Sequence, residues 1–182
     1  MAARQRWRPA RGLVAVTNGD GVFWCRNGRY WYRNGVPHRD GDQPAVIKVN
    51  GDQFWYQNGK IHRDGDQPSI VGATGGDQEW FQNGKWHRDS DQPAIIKANG
   101  DQLWYQNNKR HRDGNLPAVI HASGDQLWYQ GGMLHRDGDE PAVVWASGDQ
   151  EWYQSMMATA AAHSRIKMWA DVSLLETLTR IK

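Results

Sequence analysis

Residues 44–63 read P-A-V-I-K-V-N-G-D-Q-F-W-Y-Q-N-G-K-I-H-R, and this stretch decides the fold. Ala45 to Val49 is a short run with several β-branched residues, and it follows a proline, which is tolerated at the start of a strand. Asn50-Gly51 and Asn58-Gly59 are strong hairpin signals because both residues of such a pair accept a positive φ. The stretch therefore predicts a strand, a tight turn, a return strand over Gln53 to Gln57 and a shorter third segment.

The same pattern recurs along the chain at a nearly fixed period. The run His-Arg-Asp occurs five times, at intervals of 24, 25, 24 and 24 residues, with a Trp seven residues before each His and a Pro six residues after it. A period of this length is typical of a repeat array, in which each unit buries its apolar face against its neighbours. We expect the repeated residues to be structural: Trp31, Trp55, Trp80, Trp104 and Trp128; His38, His62, His87, His111 and His135; Asp40, Asp64, Asp89, Asp113 and Asp137.

These signals predict a mostly β protein, an elongated antiparallel β-hairpin meander with about 24 residues per unit and a C-terminal α-helix. The predicted parts are a basic N-terminal arm over 1–17, an array of about five to six units over 18–154, and the helix over 155–182. The helix is indicated by an apolar stripe with spacings of four, four, four and three: Ile166, Ala170, Leu174, Leu178 and Ile181. We expect it to cap the last sheet edge. A partner-docking or oligomerising helix, or a scrambled repeat, are the alternatives.

The residue after each repeated Trp is Tyr or Phe, as in Trp55-Tyr56 and Trp80-Phe81. Neighbouring residues on a strand point to opposite faces. The sequence therefore predicts a row of Trp on one face and a row of Tyr and Phe on the other, with stacked aromatic neighbours holding successive units together.

Composition fits a thin structure covered by aromatic residues. Only 38% of the residues are hydrophobic and the mean hydropathy is -0.84, yet the chain has 11 Trp. The net charge of +2 gives no reason to expect a nucleic-acid partner. The exception is the Arg-rich start (Arg4, Arg6, Arg8 and Arg11), which is either a solvated tail or an anion-binding arm.

No apolar run is long enough to cross a bilayer or to serve as a secretory signal. We therefore expect a soluble protein without a conventional export signal. Cys25 is the only cysteine, which excludes an intramolecular disulfide, and we expect it to be a buried thiol.

His-Arg-Asp also occurs in the catalytic loop of protein kinases, but this chain lacks the downstream Asn and a glycine-rich nucleotide loop. Five equivalent copies instead favour Arg–Asp and His–carbonyl hydrogen bonds between successive units, and we expect no enzyme. The Asp-Gly-Asp runs suggest calcium or a turn. Turn formation is favoured because Ser90 and Asn115 interrupt the pattern. No cofactor or metal is expected.

The unit W-Y-x-N-G-K-x-H-R-D-G-D-x-P-A-x-I resembles a variant of the MORN-type β-hairpin repeat. More closely, it is similar to the H-R-D-G-D-x-P-A repeat proteins of large DNA viruses of amoebae and of some bacteria. The likeness covers about residues 22–154, and the Gly-x-Gly step of ordinary MORN units is absent. The resemblance implies an elongated meander without catalytic activity that acts as a scaffold or binding surface for proteins; some such arrays have been linked to membrane lipids. It also implies a location in the cytoplasm of a host or in association with a virion.

We therefore predict a non-enzymatic scaffold or protein-interaction module. Its binding surface should lie where the units differ: at Lys48, Gly72, Lys97, His121 and Trp145 on the first strand, and at Ile61, Trp86, Arg110 and Leu134 before each His. Among these we select Trp86, Trp145, Arg110, Lys48 and Lys97 as partner-binding residues, with the two Trp as anchors. The alternatives are a structural component that self-associates by end-to-end stacking or through the C-terminal helix, and a carbohydrate- or lipid-binding hairpin array.

Overall fold

The protein is described here by a computed structural model, which covers residues 14–17 and 20–153. The predicted C-terminal helix over 155–182 and residues 1–13 of the predicted arm lie outside this part of the chain.

Short antiparallel strands account for nearly all of the regular structure. They are β1 (Val14–Thr17), β2 (Asp20–Cys25), β3 (Gly28–Arg33), β4 (Val36–Pro37), β5 (Val46–Lys48), β6 (Gln53–Phe54), β7 (Tyr56–Gln57), β8 (Lys60–Ile61), β9 (Ile70–Val71), β10 (Gln78–Glu79), β11 (Phe81–Gln82), β12 (Lys85–Trp86), β13 (Ile95–Ile96), β14 (Gln102–Leu103), β15 (Tyr105–Gln106), β16 (Lys109–Arg110), β17 (Val119–Ile120), β18 (Gln126–Leu127), β19 (Tyr129–Gln130), β20 (Met133–Leu134), β21 (Val143–Val144) and β22 (Gln150–Glu151).

The strands form one long sheet and a row of small hairpins beside it. The main sheet has 14 strands in the order β1-β2-β3-β5-β6-β9-β10-β13-β14-β17-β18-β21-β22, with β4 paired to β3 off this path. The hairpins β7-β8, β11-β12, β15-β16 and β19-β20 each form a two-stranded sheet. This confirms the predicted mostly β, antiparallel meander.

Four return strands are divided at their Trp, which the sequence did not predict: those that contain Trp55, Trp80, Trp104 and Trp128. In the second full unit, Trp55 lies between β6 and β7. Its N–H donates to the Ser69 carbonyl of the next strand in the main sheet, and its carbonyl accepts from the N–H of His62 in its own hairpin. The two hydrogen bonds go to different sheets, so the chain passes from the main sheet to the side row at this residue. The same pair of bonds recurs at Trp80, Trp104 and Trp128.

The register assigns two rows of side chains to opposite faces of the main sheet. Residues directly opposite each other in a ladder share a face. One row runs through Val46, Phe54, Ile70, Glu79, Ile95, Leu103, Val119, Leu127 and Val143. Its buried centre is Ile95, Leu103 and Val119, against which Trp86, Tyr105 and Tyr129 of the side hairpins pack. The opposite row alternates aliphatic residues with the Gln of each Gly-Asp-Gln.

One boundary differs from the prediction. Strand β1 lies within residues 1–17, which were assigned to the arm, because Val14–Thr17 pairs with β2 in a regular hairpin. Within the described part of the chain, the sheet therefore includes residues 14–17.

The unit that breaks the 24-residue period contains a wider turn. Ala73–Gly75 forms a 3-10 turn where the other units have a tight one. Two backbone segments approach each other closely at this turn, because a Cβ at Gly72 would lie 2.9 Å from the backbone nitrogen of Asp77. Gly72 is therefore required by the backbone, so its difference from Lys48 and Lys97 reflects the turn.

Candidate interaction surfaces and the bonds between units

The arginine of every His-Arg-Asp run stacks on the Trp of its own unit. The guanidinium carbon lies 3.8–3.9 Å from the ring centroid in all five cases: Arg39 on Trp31, Arg63 on Trp55, Arg88 on Trp80, Arg112 on Trp104 and Arg136 on Trp128. The same arginine donates through Nη1 to the carbonyl of the proline five residues later. A guanidinium thus covers each repeated Trp ring, and the aromatic stacking predicted between units does not run through these rings.

Three of these arginines also hold the preceding unit through a carboxylate. Nε and Nη2 donate to the two oxygens of one aspartate, at 2.6–2.7 Å and 2.8–2.9 Å: Arg63 to Asp42, Arg88 to Asp66 and Arg112 to Asp91. These arginine side chains are only 12–14% exposed. Bidentate, charge-assisted pairs of this kind are among the stronger polar contacts in proteins. The last aspartate of Asp-Gly-Asp, which the sequence assigned to turn formation, is thus also an inter-unit partner.

The fourth interface lacks this carboxylate because Asn115 stands at the aspartate position. Arg136 pairs through Nη2 with Glu140 of its own unit at 2.7 Å. Its Nε is buried and has no hydrogen-bond partner among the described residues. This interface is therefore the weakest of the series by hydrogen-bond satisfaction.

The histidines connect units in a different way from the one predicted. In four units Nδ1 accepts a hydrogen bond from a backbone N–H of the following hairpin: Asn58 to His38, Asn83 to His62, Asn107 to His87 and Gly131 to His111. Nε2 bonds the aspartate two residues later in the same run. The predicted His–carbonyl bond is wrong because the acceptor nitrogen faces an N–H, which places the proton on Nε2.

The aspartates of His-Arg-Asp lie within their own units. Asp64 accepts hydrogen bonds from both Gln57 and His62, and Asp89, Asp113 and Asp137 have the same two kinds of partner. In the first unit Arg33 takes part, as an ion pair with Asp40. Every side chain of the repeated run thus has an observed structural partner in most units.

A further inter-unit contact, which was not predicted, comes from the aspartate of the Gly-Asp-Gln that lies just before each repeated Trp from Trp55 onward. Its carboxylate accepts the backbone N–H of the next unit's turn: Asp52 from Ala73, Asp77 from Ala98, Asp101 from Ala122 and Asp125 from Ala146. The recurrence of this Gly-Asp-Gln before five of the six Trp of the series was the available signal.

These bonds lower the pKa of the carboxyl groups. The Arg63 guanidinium holds the pKa of Asp42 below its usual value, and Arg88 and Arg112 do the same for Asp66 and Asp91. The backbone N–H of the next turn lowers the pKa of Asp52, Asp101 and Asp125. In each case the hydrogen bond favours the charged form.

Of the two predicted anchors, Trp86 is integrated into the aromatic cover. Its ring lies between Phe81 and Tyr105, with centroids 5.1 Å and 5.5 Å away. The indole Nε1 donates to Glu79 at 2.8 Å. The side chain is half-buried, so much of it is already in contact within the chain.

The other predicted partner residues differ in their exposure and in the side chains that they already contact. Arg110 is half-buried and donates to the hydroxyl groups of Tyr105 and Tyr129. Lys97 pairs with Asp77 at 2.7 Å. Lys48 is exposed and lies 4.5 Å from the ring centroid of Phe54. Lys48 and Lys97 occupy equivalent positions on the edge of the array, whereas Arg110 belongs to the side hairpins.

Trp145 lies at the far end of the described array, where several large side chains are exposed. Trp145 is 37% exposed, Trp152 55% and Tyr153 41%. Trp145 and Tyr153 both donate to the carboxylate of Glu151, at 3.0 Å and 2.7 Å. Trp152 and Tyr153 were not among the predicted site residues, although Trp152 is the sixth member of the repeated Trp series.

The described residues contain no group of three or more His, Cys, Asp or Glu side chains placed to hold a metal ion. Cys25, expected to be buried, is exposed. No helix within residues 14–17 and 20–153 is long and apolar enough to span a membrane. Comparison of the chain with protein-family models, with curated proteins and with solved structures gives no match.

Proposed function

We propose that this array is a non-enzymatic scaffold whose surface binds a protein partner. The observation that carries the proposal is that the His-Arg-Asp side chains bond their own and neighbouring units. Residues held in this way maintain a long rigid surface, and the positions that vary between units remain to select a partner. The resemblance to MORN-type repeats supports the same function.

Within this proposal the end of the array is the strongest partner surface. Trp145 combines 37% exposure with a position that varies between units. Exposed Trp residues are frequent hot spots of protein interfaces. Arg110 and the Lys48 and Lys97 row extend the candidate surface along the array.

The test compares the full-length chain with two single substitutions during affinity capture from its native source. W145S removes an exposed anchor, while V49S changes an apolar residue that is 75% exposed at a different place. We expect a specific protein to be captured by the wild-type chain and by V49S, and to be lost or strongly reduced with W145S. That protein must then bind the purified chain directly in a two-component measurement.

The proposal fails if no captured protein binds the purified chain directly. If a direct partner binds W145S as well as the wild type, the scaffold function stands and Trp145 is not its anchor. Far-UV circular dichroism must show that all three proteins are folded under the capture conditions, because Trp145 is only 37% exposed and W145S also removes its hydrogen bond to Glu151.

A further inference from the structure

Trp152 and Asp139 repeat, at the end of the array, a geometry that occurs inside it. In two internal units the Trp Nε1 donates to the backbone carbonyl of the aspartate that receives the arginine: Trp55 to Asp42 at 3.3 Å and Trp104 to Asp91 at 3.2 Å. Trp152 makes the same contact with the carbonyl of Asp139, at 3.5 Å. The Trp and the aspartate at the end are therefore paired as in these two units.

One component is missing from this last pair. In the five complete units an arginine lies eight residues after the Trp, and in three of them it bridges the indole ring and the aspartate carboxylate. Eight residues after Trp152 the sequence has Ala160. A methyl group can neither cover an indole face nor bond a carboxylate.

The exposure of the two residues agrees with a vacant position. Trp152 is 55% exposed, whereas Trp55, Trp80, Trp104 and Trp128 are 5–7% exposed. None of the residues that the structure describes bonds the Asp139 carboxylate, although Asp42, Asp66 and Asp91 each receive two hydrogen bonds from an arginine. An aromatic face and a carboxylate are thus presented together to solvent.

We infer that Trp152 and Asp139 form a binding site for the guanidinium group of an arginine supplied by a partner protein. The internal units define the recognition: the guanidinium plane stacks 3.8–3.9 Å from the indole centroid and its Nε and Nη2 donate to the two carboxylate oxygens. Lysine fits this site poorly because an ammonium group neither stacks as a plane nor forms a two-pronged pair with a carboxylate. This site specifies one way in which the array would recognise its partner. It rests on the proposed function because a protein partner supplies the arginine.

The experiment uses the full-length chain labelled for NMR and observes the indole N–H signal of Trp152, identified by its disappearance in W152F. The probe is N-acetyl-arginine methylamide, and the corresponding lysine and citrulline derivatives are controls. Citrulline has nearly the shape of arginine but no charge. We expect the arginine derivative to shift the Trp152 signal saturably, and the lysine and citrulline derivatives to bind at least about fivefold more weakly.

Two variants assign the effect to the carboxylate. D139N keeps the shape of the side chain and removes its charge, and we expect it to weaken arginine binding about tenfold. D149N makes the same chemical change at the same end of the array, at a carboxylate that accepts a hydrogen bond from Ser147. We expect D149N to bind the arginine derivative like the wild type.

Three results would overturn the site. They are an unchanged Trp152 signal with the arginine derivative, equal shifts with citrulline, and equal binding by D139N and the wild type.

The chain's own Arg165 and Arg180 are the other source of a guanidinium. If the probe binds only to the R165A/R180A variant, the site is filled from within the chain and the partner arginine is excluded. None of these results affects a partner captured through other surfaces, so the failure of this site and of the scaffold function can be told apart.

Discussion

At the scale of single residues, the arginine of the repeat carries more contacts than any other position. Arg88 stacks on Trp80, donates to the Pro93 carbonyl and forms a two-pronged pair with Asp66, all with 12% of its side chain exposed. One side chain thereby fixes its own unit internally and holds the preceding unit. No other residue of the His-Arg-Asp run contacts an aromatic ring in this way.

Arg88→Lys should therefore destabilise the array although it conserves charge. Lysine keeps at most one of the two carboxylate contacts and loses the planar stack, so we expect a loss of about 1–3 kcal/mol in the free energy of unfolding. Urea denaturation followed by circular dichroism measures it. The reverse exchange at exposed Lys85, K85R, is the control and should change stability by less than about 0.5 kcal/mol. Equal stability of R88K and the wild type would contradict the assigned role of the guanidinium.

Asn115→Asp offers a change in the opposite direction. It restores the carboxylate that the fourth interface lacks, next to the buried and unpaired Nε of Arg136. The backbone is compatible, because Asp42 and Asp91 adopt φ of 50° and 52° at this position and Asn115 has 56°. We expect N115D to raise the free energy of unfolding by about 0.5–1.5 kcal/mol and D91N to lower it. Thermal unfolding of the two variants side by side checks the opposite signs; a destabilised N115D would show that the Glu140 pairing already suffices.

The sequence predicted which residues are structural but not which neighbours they contact. Five identical copies show that Trp55 and Arg63 belong to every unit, yet nothing in the period tells whether a Trp ring meets another Trp or an arginine. Strand alternation suggested aromatic rows, and it fails at Trp55 because the return strand is divided there between two sheets. The second aspartate of Asp-Gly-Asp was misjudged for a related reason: its replacement by Asn115 was taken as tolerance, whereas it leaves Arg136 incompletely paired.

At the scale of the structural element, the residue between each proline and the strand that follows it has no room for a larger side chain. Ala45, Ala94, Ala118 and Ala142 have no exposed surface, and Ser69 at the equivalent position is also fully buried. The Ser69 hydroxyl exchanges hydrogen bonds with the backbone N–H and carbonyl of Phe81. This position therefore accepts a small polar group only because backbone partners lie beside it.

Ala118→Ser and Ala118→Leu should separate these two requirements. A serine can bond the backbone of Tyr129, which lies where Phe81 does in the earlier unit, so we expect A118S to change stability by less than about 1 kcal/mol. Leucine adds three carbons where none fit and should cost about 1–3 kcal/mol or more. The measurement is the urea midpoint of each variant. A tolerated A118L would mean that the main sheet and the side hairpins can move apart at this residue.

The hairpins could be predicted from the sequence because their turns contain residue pairs with a known backbone preference. Asn-Gly pairs marked the hairpins, and the positive φ of Asn58 and Gly59 (49° and 78°) explains why. The division at Trp55 could not be predicted from propensity, because every residue of Gln53 to Gln57 suits a continuous strand. Residues 155–182, for which a helix is predicted, lie outside the described part of the chain, and the cap remains a prediction.

At the scale of the whole molecule, carboxylates link the units from one end to the other, so stability should depend on acid. Asp42, Asp66 and Asp91 have pKa values lowered by arginine, and Asp52, Asp101 and Asp125 by backbone N–H groups. A lowered folded-state pKa contributes stability that is present above the ordinary value of 3.8 and is lost as the pH falls through the folded-state values.

We therefore expect the unfolding temperature to fall steeply once the pH drops below about 4, as these carboxylates take up protons together. Thermal unfolding followed from neutral pH to pH 3 measures this. The N115D variant adds one more paired carboxylate and should show a slightly steeper decline. An unfolding temperature that stays constant down to pH 3 would mean that the bonds to these aspartates contribute nothing to stability.

The direction of the terminal strands limits how arrays can join. Twelve antiparallel pairings connect β1 to β22, so the two edge strands run in the same direction. Stacking the end of one copy on the start of another would place β22 beside β1 in parallel orientation, which breaks the antiparallel pattern and is less stable per residue. A two-fold contact between two β22 strands keeps the pattern and closes after two copies.

Self-association through β22 alone should therefore stop at a dimer. Sedimentation velocity over a wide concentration range distinguishes a dimer from open-ended growth. In a C25S background, E151C places one thiol on β22; in a two-fold antiparallel pair the opposed Cα atoms would be close enough for a disulfide, whereas T17C on β1 should not cross-link. Filaments that lengthen with concentration, or cross-links between residues 17 and 151 of different copies in the doubly substituted chain, would show that parallel head-to-tail contacts form after all.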